Sequence, residues 1–179
     1  MTTAAPRREL LLTAAADLFA ARGFHEVGID DIGTAAGISG PGVYRHFTSK
    51  QALLETLIDR TMDRMLEHVR GLGTLDELLD VHVDLVVTER SLMSVWVREQ
   101  RALTESMRRS LRTRMRAYEV VWRDALAPHR KELGADELAL TVGTTLAMLN
   151  TSCLIESRLS GERRATSLRE LATRMLLPG

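Results

Sequence analysis

The residues whose types best suit recognition chemistry lie between positions 39 and 50. A guanidinium can hold a guanine through two hydrogen bonds, so Arg45 is the best candidate for a base contact, with phosphate contact alone as the alternative. The phenol of Tyr44 can reach a phosphate or a thymine methyl, unless packing occupies the ring. Ser39, His46 and Lys50 add further hydrogen-bonding side chains to this segment.

Two short helices must position these side chains. The spacing predicts one helix at about 29–36 and another from Ser39 to about Phe47, separated by Gly37 and Ile38. Such a pair, joined by a tight turn that contains glycine, is the geometry of a DNA-reading helix-turn-helix. Because helical hairpins abound in all-α proteins, the bare pattern is only moderately specific.

Helical periodicity continues through nearly the whole chain, and it predicts an all-α fold. An amphipathic helix precedes the pair, and a long helix capped by Thr48 or Ser49 follows it and ends near Gly71. Further helices are predicted at roughly 75–89, 91–104, 107–128, 136–157 and 163–177. No stretch alternates with a period of two for long enough to form a strand.

Residues 12–57 resemble the N-terminal domain of the TetR family of bacterial transcription regulators. The matching segments are DLFAARGFHEVGIDDI (17–32), AAGIS (35–39) and VYRHFTSKQALLETL (43–57). The resemblance implies a nine- or ten-helix homodimer that represses transcription and leaves its operator DNA when a small molecule binds. It implies a DNA-binding domain at 1–50 and a ligand-binding and dimerisation domain at 51–179, and it matches Lys50 to a lysine that contacts backbone phosphate. With this resemblance, the candidate DNA-contacting residues are Ser39, Gly42, Tyr44, Arg45, His46 and Lys50.

The sequence departs from the family pattern at three places. Gly40, Pro41 and Gly42 stand where the family usually has lysine or another polar residue, so readout would rely on Arg45, His46 and DNA shape. Gly28 replaces a capping threonine, and the neighbouring residues Asp30 and Asp31 add negative charge. The first fifty residues hold five basic and five acidic side chains. This balance predicts modest DNA affinity and a shallow salt dependence.

Residues from 51 onward are expected to form a helical bundle with a small-molecule pocket between its helices. The candidate lining residues are Met93, Trp96, Met115, Tyr118, Trp122, Met148 and Cys153, with His82 and Asn150 as polar anchors. Each of them is also explained by ordinary core packing. A pocket rich in methionine would favour a hydrophobic ligand.

Positive charge is concentrated between residues 98 and 131, which hold ten basic and four acidic side chains. A solvated helix face, with Glu105 pairing Arg109, is the default interpretation. The alternative is a site for an anionic group, such as the phosphates of an acyl-CoA, formed by Arg108, Arg109 and Arg112 above an apolar pocket.

The last two helices are predicted to form the dimer interface, with packing inside one subunit as the alternative. The first of them carries small residues that allow close approach, and the second adds apolar ones. These residues are Thr141, Gly143, Thr144, Ala147, Thr151 and Ser152, and then Leu168, Leu171, Ala172, Met175 and Leu177.

Other classes of protein find little support. The sequence has no glycine-rich phosphate loop, metal-ligand motif or nucleophile elbow, so we expect no enzyme, cofactor or metal. A single cysteine, no secretory leader and no membrane span predict a cytoplasmic protein. The main alternative is a helical adaptor that does not bind DNA.

Overall fold

The computed structural model describes residues 4–177, with side chains from Arg7 onward. The first three residues of the predicted DNA-binding domain and the last two of the predicted ligand-binding domain therefore lie outside the described residues. Within that range the chain forms nine α-helices and no strand, which confirms the all-α prediction. The helices are α1 (Ala4–Arg22), α2 (Ile29–Ala35), α3 (Gly40–Val43), α4 (Lys50–Val69), α5 (Leu75–Thr88), α6 (Arg90–Arg98), α7 (Glu105–Leu126), α8 (Ala135–Thr151) and α9 (Gly161–Leu176).

Helices α1 to α3 pack around a small apolar core. Phe19 of α1, Ile32 of α2 and Val43 of α3 are all buried, and so is Phe47 after α3. Helix α3 is shorter than the predicted 39–47, because the backbone continues as hydrogen-bonded turns after Val43. Phe47 therefore enters the core from a turn and not from a helix.

Side-chain caps set the starts of several of the longer helices. Ser49 Oγ accepts a hydrogen bond from Ala52 N at 3.0 Å. Of the two predicted caps of α4, Thr48 and Ser49, the cap is therefore Ser49. Thr104 Oγ1 accepts one from Met107 N at 3.3 Å, which starts α7 at Glu105. The segment before Thr104 is a 3₁₀ turn over Glu99–Ala102, where the prediction had one continuous helix over 91–104.

Helix α8 ends at Thr151, six residues before the predicted end, and continues as a 3₁₀ turn over Ser152–Leu154. Two arginines from other helices bind the carbonyls of this segment. Arg90 Nε donates to Cys153 O at 2.8 Å, and Arg164 donates to Ser152 O and to Ile155 O. These contacts satisfy the carbonyls at the helix end, so the chain can turn towards α9.

The α1–α3 unit rests on the bundle through α1, which lies along α6, and through α4, which begins in the unit and runs into the bundle. Helix α4 buries one face, including Leu53, Leu57, Met62 and Met65. No helix in the described part of the chain is long and apolar enough to cross a membrane.

Candidate DNA-binding surface and buried core

The turn between α2 and α3 depends on two glycines. Gly37 has a φ of +68°, a conformation that side chains rarely adopt, and it ends α2. A Cβ on Gly33 would lie 2.6 Å from the backbone oxygen of Ile38, so only glycine lets the turn pack this closely on α2. The result is the tight helix pair that the sequence predicted.

The polar candidates lie at the end of α3 with different exposures. Tyr44 is 57% exposed, Arg45 is also exposed, and His46 is half-buried. Ser39 occupies the N-cap position of α3, but its side chain makes no capping hydrogen bond. Gly42 is buried, and a Cβ there would lie 2.6 Å from Ile38 Cγ2, so its place in the structure is explained by packing.

Lys50 faces the loop between α1 and α2. Its ammonium donates to Phe24 O at 2.8 Å, to Val27 O at 2.7 Å and to His25 O at 3.3 Å. The same nitrogen lies 4.5 Å from the centroid of the Phe24 ring. Lys50 thus holds the loop in this structure, a role that the sequence analysis missed, and its phosphate contact remains a prediction.

The two aspartates at the start of α2 both contact other residues of the α1–α3 unit. Asp31 Oδ2 accepts from Gly28 N at 2.9 Å and from Arg22 at 3.3 Å, so it satisfies the helix start where Gly28 has no side chain to do so. Asp30 lies against Gly40, where an added Cβ would come within 1.8 Å of Asp30 Oδ1. Replacement of Gly40 by a larger residue would therefore displace Asp30.

Four of the predicted ligand residues meet in the bundle core. His82 of α5 is fully buried, with Nδ1 2.8 Å from Tyr118 Oη and Nε2 3.1 Å from Asn150 Oδ1. The Trp122 ring packs edge-on against His82, with 5.7 Å between centroids. Burial lowers the pKa of His82 to about 4, a shift that the Asn150 hydrogen bond partly opposes, and burial raises the pKa of Tyr118.

The other ligand candidates are spread through the bundle. Met93 and Trp96 are buried on α6, and Met148 is half-buried on α8. Cys153 is buried as well, and burial raises the pKa of its thiol. Met115 is half-buried and lines a groove of about 360 Å³ on the outer side of α7, together with Arg108, Arg112 and Arg116.

Glu105 partly neutralises the arginine cluster of α7. Its carboxylate lies 2.9 Å from Arg108, 3.3 Å from Arg112 and 3.9 Å from Arg109, so the predicted pair with Arg109 is the longest of three. Hydrogen bonds from Arg108 and Arg112 lower the pKa of Glu105. A further arginine, Arg114, pairs with Asp59 and Asp63 and ties α7 to α4, a contact that the spacing did not indicate.

Helices α8 and α9 leave apolar side chains uncovered. Leu140 is 68% exposed and Leu171 50%, and Met175 is exposed too. The hydroxyls of Thr141, Thr144 and Thr151 donate hydrogen bonds to carbonyls of their own helix. These three hydroxyls of α8 therefore already have hydrogen-bond partners within the subunit. Ser152, Leu168 and Ala172, which the sequence analysis also assigned to the dimer interface, are instead buried within the subunit.

The fold and these two sites define a class of protein: an N-terminal helix-turn-helix unit joined to a helical bundle with its own core. Two models of one family match the chain. The model for bacterial regulatory proteins of the tetR family matches residues 11–57, and the tetracyclin repressor-like C-terminal domain matches residues 72–154. The chain therefore belongs to the TetR family.

Known proteins resemble the chain over different lengths. The activator FasR of Mycolicibacterium smegmatis is 42% identical over 64 residues, 36% of this chain and 29% of FasR. The chain spans less than half of the length of the first curated relatives it matches. A TetR-family regulator from Bordetella parapertussis has a TM-score of 0.84 at 24% identity, covering 96% of this chain and 94% of that one.

A second solved structure shares the fold. It is AibR in complex with isovaleryl coenzyme A and operator DNA, with a TM-score of 0.76 at 20% identity. The alignment covers 92% of this chain and 97% of AibR.

Proposed function

We propose that the chain regulates transcription as a homodimer that binds operator DNA and represses until a small hydrophobic ligand releases it. The observation that carries this proposal is the α2–α3 pair, whose glycine-dependent turn presents Tyr44 and Arg45 to solvent. In this proposal Arg45 reads a base and Tyr44 contacts phosphate or thymine. Ser39, His46 and Lys50 would complete the surface that faces DNA, and Gly42 would act only through the packing of α3.

The dimer would form through α8 and α9. The exposed residues Leu140, Leu171 and Met175 give this face apolar area, and Gly143 and Ala147 allow close approach between helices. Two copies related by a two-fold axis would form a four-helix interface. The same symmetry would place two recognition helices on two half-sites of an operator.

The effector site would lie in the bundle around His82, Tyr118 and Asn150. The cluster is closed in this structure, because its polar atoms bond to one another and Trp122 packs against them. An apolar ligand that carries a polar group could replace one of these hydrogen bonds. Met93, Trp96 and Met148 would then complete the walls of the pocket, whereas Met115 lines the groove on α7.

An acyl-CoA-like effector would use the arginines of α7. The groove is lined by Arg108, Arg112 and Arg116, and also by Glu119, and it lies on the same helix as Tyr118 and Trp122. In this proposal the arginines would bind the phosphates, and the acyl chain would enter the core beside Tyr118. The AibR complex with isovaleryl coenzyme A supports this choice of ligand class.

Helix α4 would transmit the signal. Its first residue, Lys50, holds the loop before α2, and Arg114 ties its middle to α7 through Asp59 and Asp63. A ligand that shifts α7 would shift α4 and change the spacing of the two recognition helices. Release requires that the ligand prefer the shifted arrangement, since equal affinity for both would move nothing.

Titration of upstream promoter DNA with the purified protein tests the DNA-binding claim. We expect Arg45→Ala and Tyr44→Ala each to weaken specific binding by about fivefold or more, because one good base or phosphate contact contributes at least about 1 kcal/mol. Arg70→Ala, an exposed change at the far end of α4, is the matched control. Equal binding by parent and both variants would contradict the proposal.

The ligand claim has its own experiment. Acyl-CoA thioesters of several chain lengths are titrated into the protein–DNA complex and into a variant with Arg108, Arg109 and Arg112 replaced by glutamine. Weaker binding by the variant is expected, and unchanged binding would exclude the arginines from the site. Release of DNA by none of the thioesters would favour a different class of effector.

A further inference from the structure

The corner between α1 and α2 determines where the helix pair sits. Helix α1 ends at Arg22, Gly23 turns the chain with a φ of +84°, and α2 begins six residues later at Ile29. Phe24 anchors this corner, because its ring is buried and packs edge-on against Phe19 at 5.3 Å between centroids. Any change at the corner would move α2 and with it α3.

A residue of the bundle reaches this corner. Glu99, the first residue of the 3₁₀ turn after α6, places Oε1 3.0 Å from the backbone nitrogen of Phe24, 75 residues away in sequence. The preceding residue, Arg98, donates to the oxygen of Ala20 in the last turn of α1 at 3.2 Å. The positive charge of Arg98 thus lies at a carbonyl oxygen of α1, and the negative charge of Glu99 lies at the N–H of Phe24. Each charge is opposite in sign to the partial charge of the backbone group that it binds.

Lys50 holds the other side of the same corner. Its ammonium binds carbonyl oxygens of residues 24, 25 and 27, while Glu99 accepts the N–H of residue 24. The corner is thus fixed from two directions. One contact comes from the start of α4, and the other comes from the end of α6.

The 3₁₀ turn that carries Glu99 is itself fixed to α4. Gln51 Nε2 donates to Ala102 O at 2.9 Å, and Glu55 Oε1 accepts from Thr104 N at 3.0 Å. The turn therefore lies against the first two turns of α4 and connects directly to α7. A displacement of α6 or α7 in the bundle would carry Glu99 with it.

From these contacts we infer that Glu99 is a positioning residue for DNA recognition. By holding the Phe24 N–H it sets the corner before α2, so that the helix pair is already ordered when it meets DNA. The inference rests on the proposed function. Without Glu99 only Lys50 and the packing of Phe24 hold the corner, so it becomes more mobile, and DNA binding must order it, which weakens affinity.

Two substitutions at one position test this role. Glu99→Ala removes the acceptor, whereas Glu99→Gln keeps an oxygen that can accept the Phe24 N–H, and Glu156→Ala is a control at an exposed carboxylate beyond α8. We expect about a tenfold loss of promoter affinity for Glu99→Ala, a loss within about threefold for Glu99→Gln, and none for the control. Hydrogen exchange at the Phe24 amide should be fastest in Glu99→Ala and close to the parent in Glu99→Gln.

The possible results distinguish a failure of the Glu99 role from a failure of the proposed DNA-binding function. A parent protein that binds no DNA removes the proposed function, and this role of Glu99 with it. A DNA-binding parent with unchanged affinity in Glu99→Ala overturns the role of Glu99 alone. Equal losses in Glu99→Ala and Glu99→Gln, or unchanged exchange at Phe24, would also contradict positioning through this hydrogen bond.

Discussion

Two clusters of buried or half-buried polar contacts occupy opposite halves of the molecule, and they differ in which groups they bind. At the α1–α2 corner, Lys50 and Glu99 bind backbone atoms of residues 24–27. In the bundle core, the His82 ring forms hydrogen bonds with two side chains, Tyr118 and Asn150. The first cluster fixes the course of the chain, while the second fixes the rotamers of three side chains.

This difference bears on what each region can do. A backbone group held by a charged side chain keeps the chain in place, and its release would leave a polar group without a partner. A side chain can rotate and exchange one partner for another with a smaller change in the fold. In the proposed function, the corner would hold the recognition surface in place, and the core would accept the ligand.

The largest effect we expect concerns acid and the bundle core. The pKa of buried His82 is about 4, against 6.5 for the ordinary group, so the unfolded chain binds this proton more readily than the folded one. Stability from this residue is therefore complete above pH 6.5 and is lost as pH falls from there towards 4, by roughly 3 kcal/mol in total. Urea unfolding at several pH values measures it.

Variants assign this acid effect to one residue. His82→Gln should flatten the loss of stability between pH 6.5 and 4, whereas His68→Gln, at an exposed position on α4, should leave it unchanged. If the parent and His82→Gln lost stability in parallel, His82 would not be the buried neutral group that the core requires.

A slightly smaller effect is expected from the corner. Lys50→Ala removes a charged donor from three carbonyls, and we expect a loss of about 2 to 3 kcal/mol in the free energy of unfolding. Lys50→Met retains the aliphatic stem beside Phe24 and should recover a part of it. Denaturation at neutral pH gives both values. A loss below about 0.5 kcal/mol for Lys50→Ala, as at an ordinary surface position, would mean that the corner does not depend on the hydrogen bonds of Lys50.

The smallest effect concerns the helix turn beyond the corner. Gly33→Ala would place a Cβ 2.6 Å from the oxygen of Ile38, so the turn must shift, at a cost of about 1 to 2 kcal/mol. Gly73→Ala is the control, because nothing lies within 4 Å of its Cβ and the change should stay within about 0.5 kcal/mol. Thermal unfolding of both variants compares them. Equal losses of stability in Gly33→Ala and Gly73→Ala would show that the turn between α2 and α3 accommodates the added Cβ without strain.

Local pattern predicted the helices well and the contacts between them poorly. The periodicity of apolar residues and the glycine at position 37 were enough for the order of the helices and for the tight turn. The end of α8 was wrong by six residues, since it depends on Arg90, which lies more than sixty positions earlier in the chain.

The sites show the same division. His82, Tyr118, Trp122 and Asn150 stood out by residue type, and the fold brings them together. The partners of Lys50 and the contact of Glu99 with Phe24 depend on which helices cross. Spacing along one helix carries no information on a crossing, so these contacts required the structure.

The most direct test of the account is hydrogen exchange with and without promoter DNA. We predict slower exchange on DNA addition in residues 38–50 and at the start of α2, with no change in α8 and α9. Protection confined to α8 and α9, or an exchange pattern that promoter DNA leaves unaltered, would contradict DNA recognition by the helix pair.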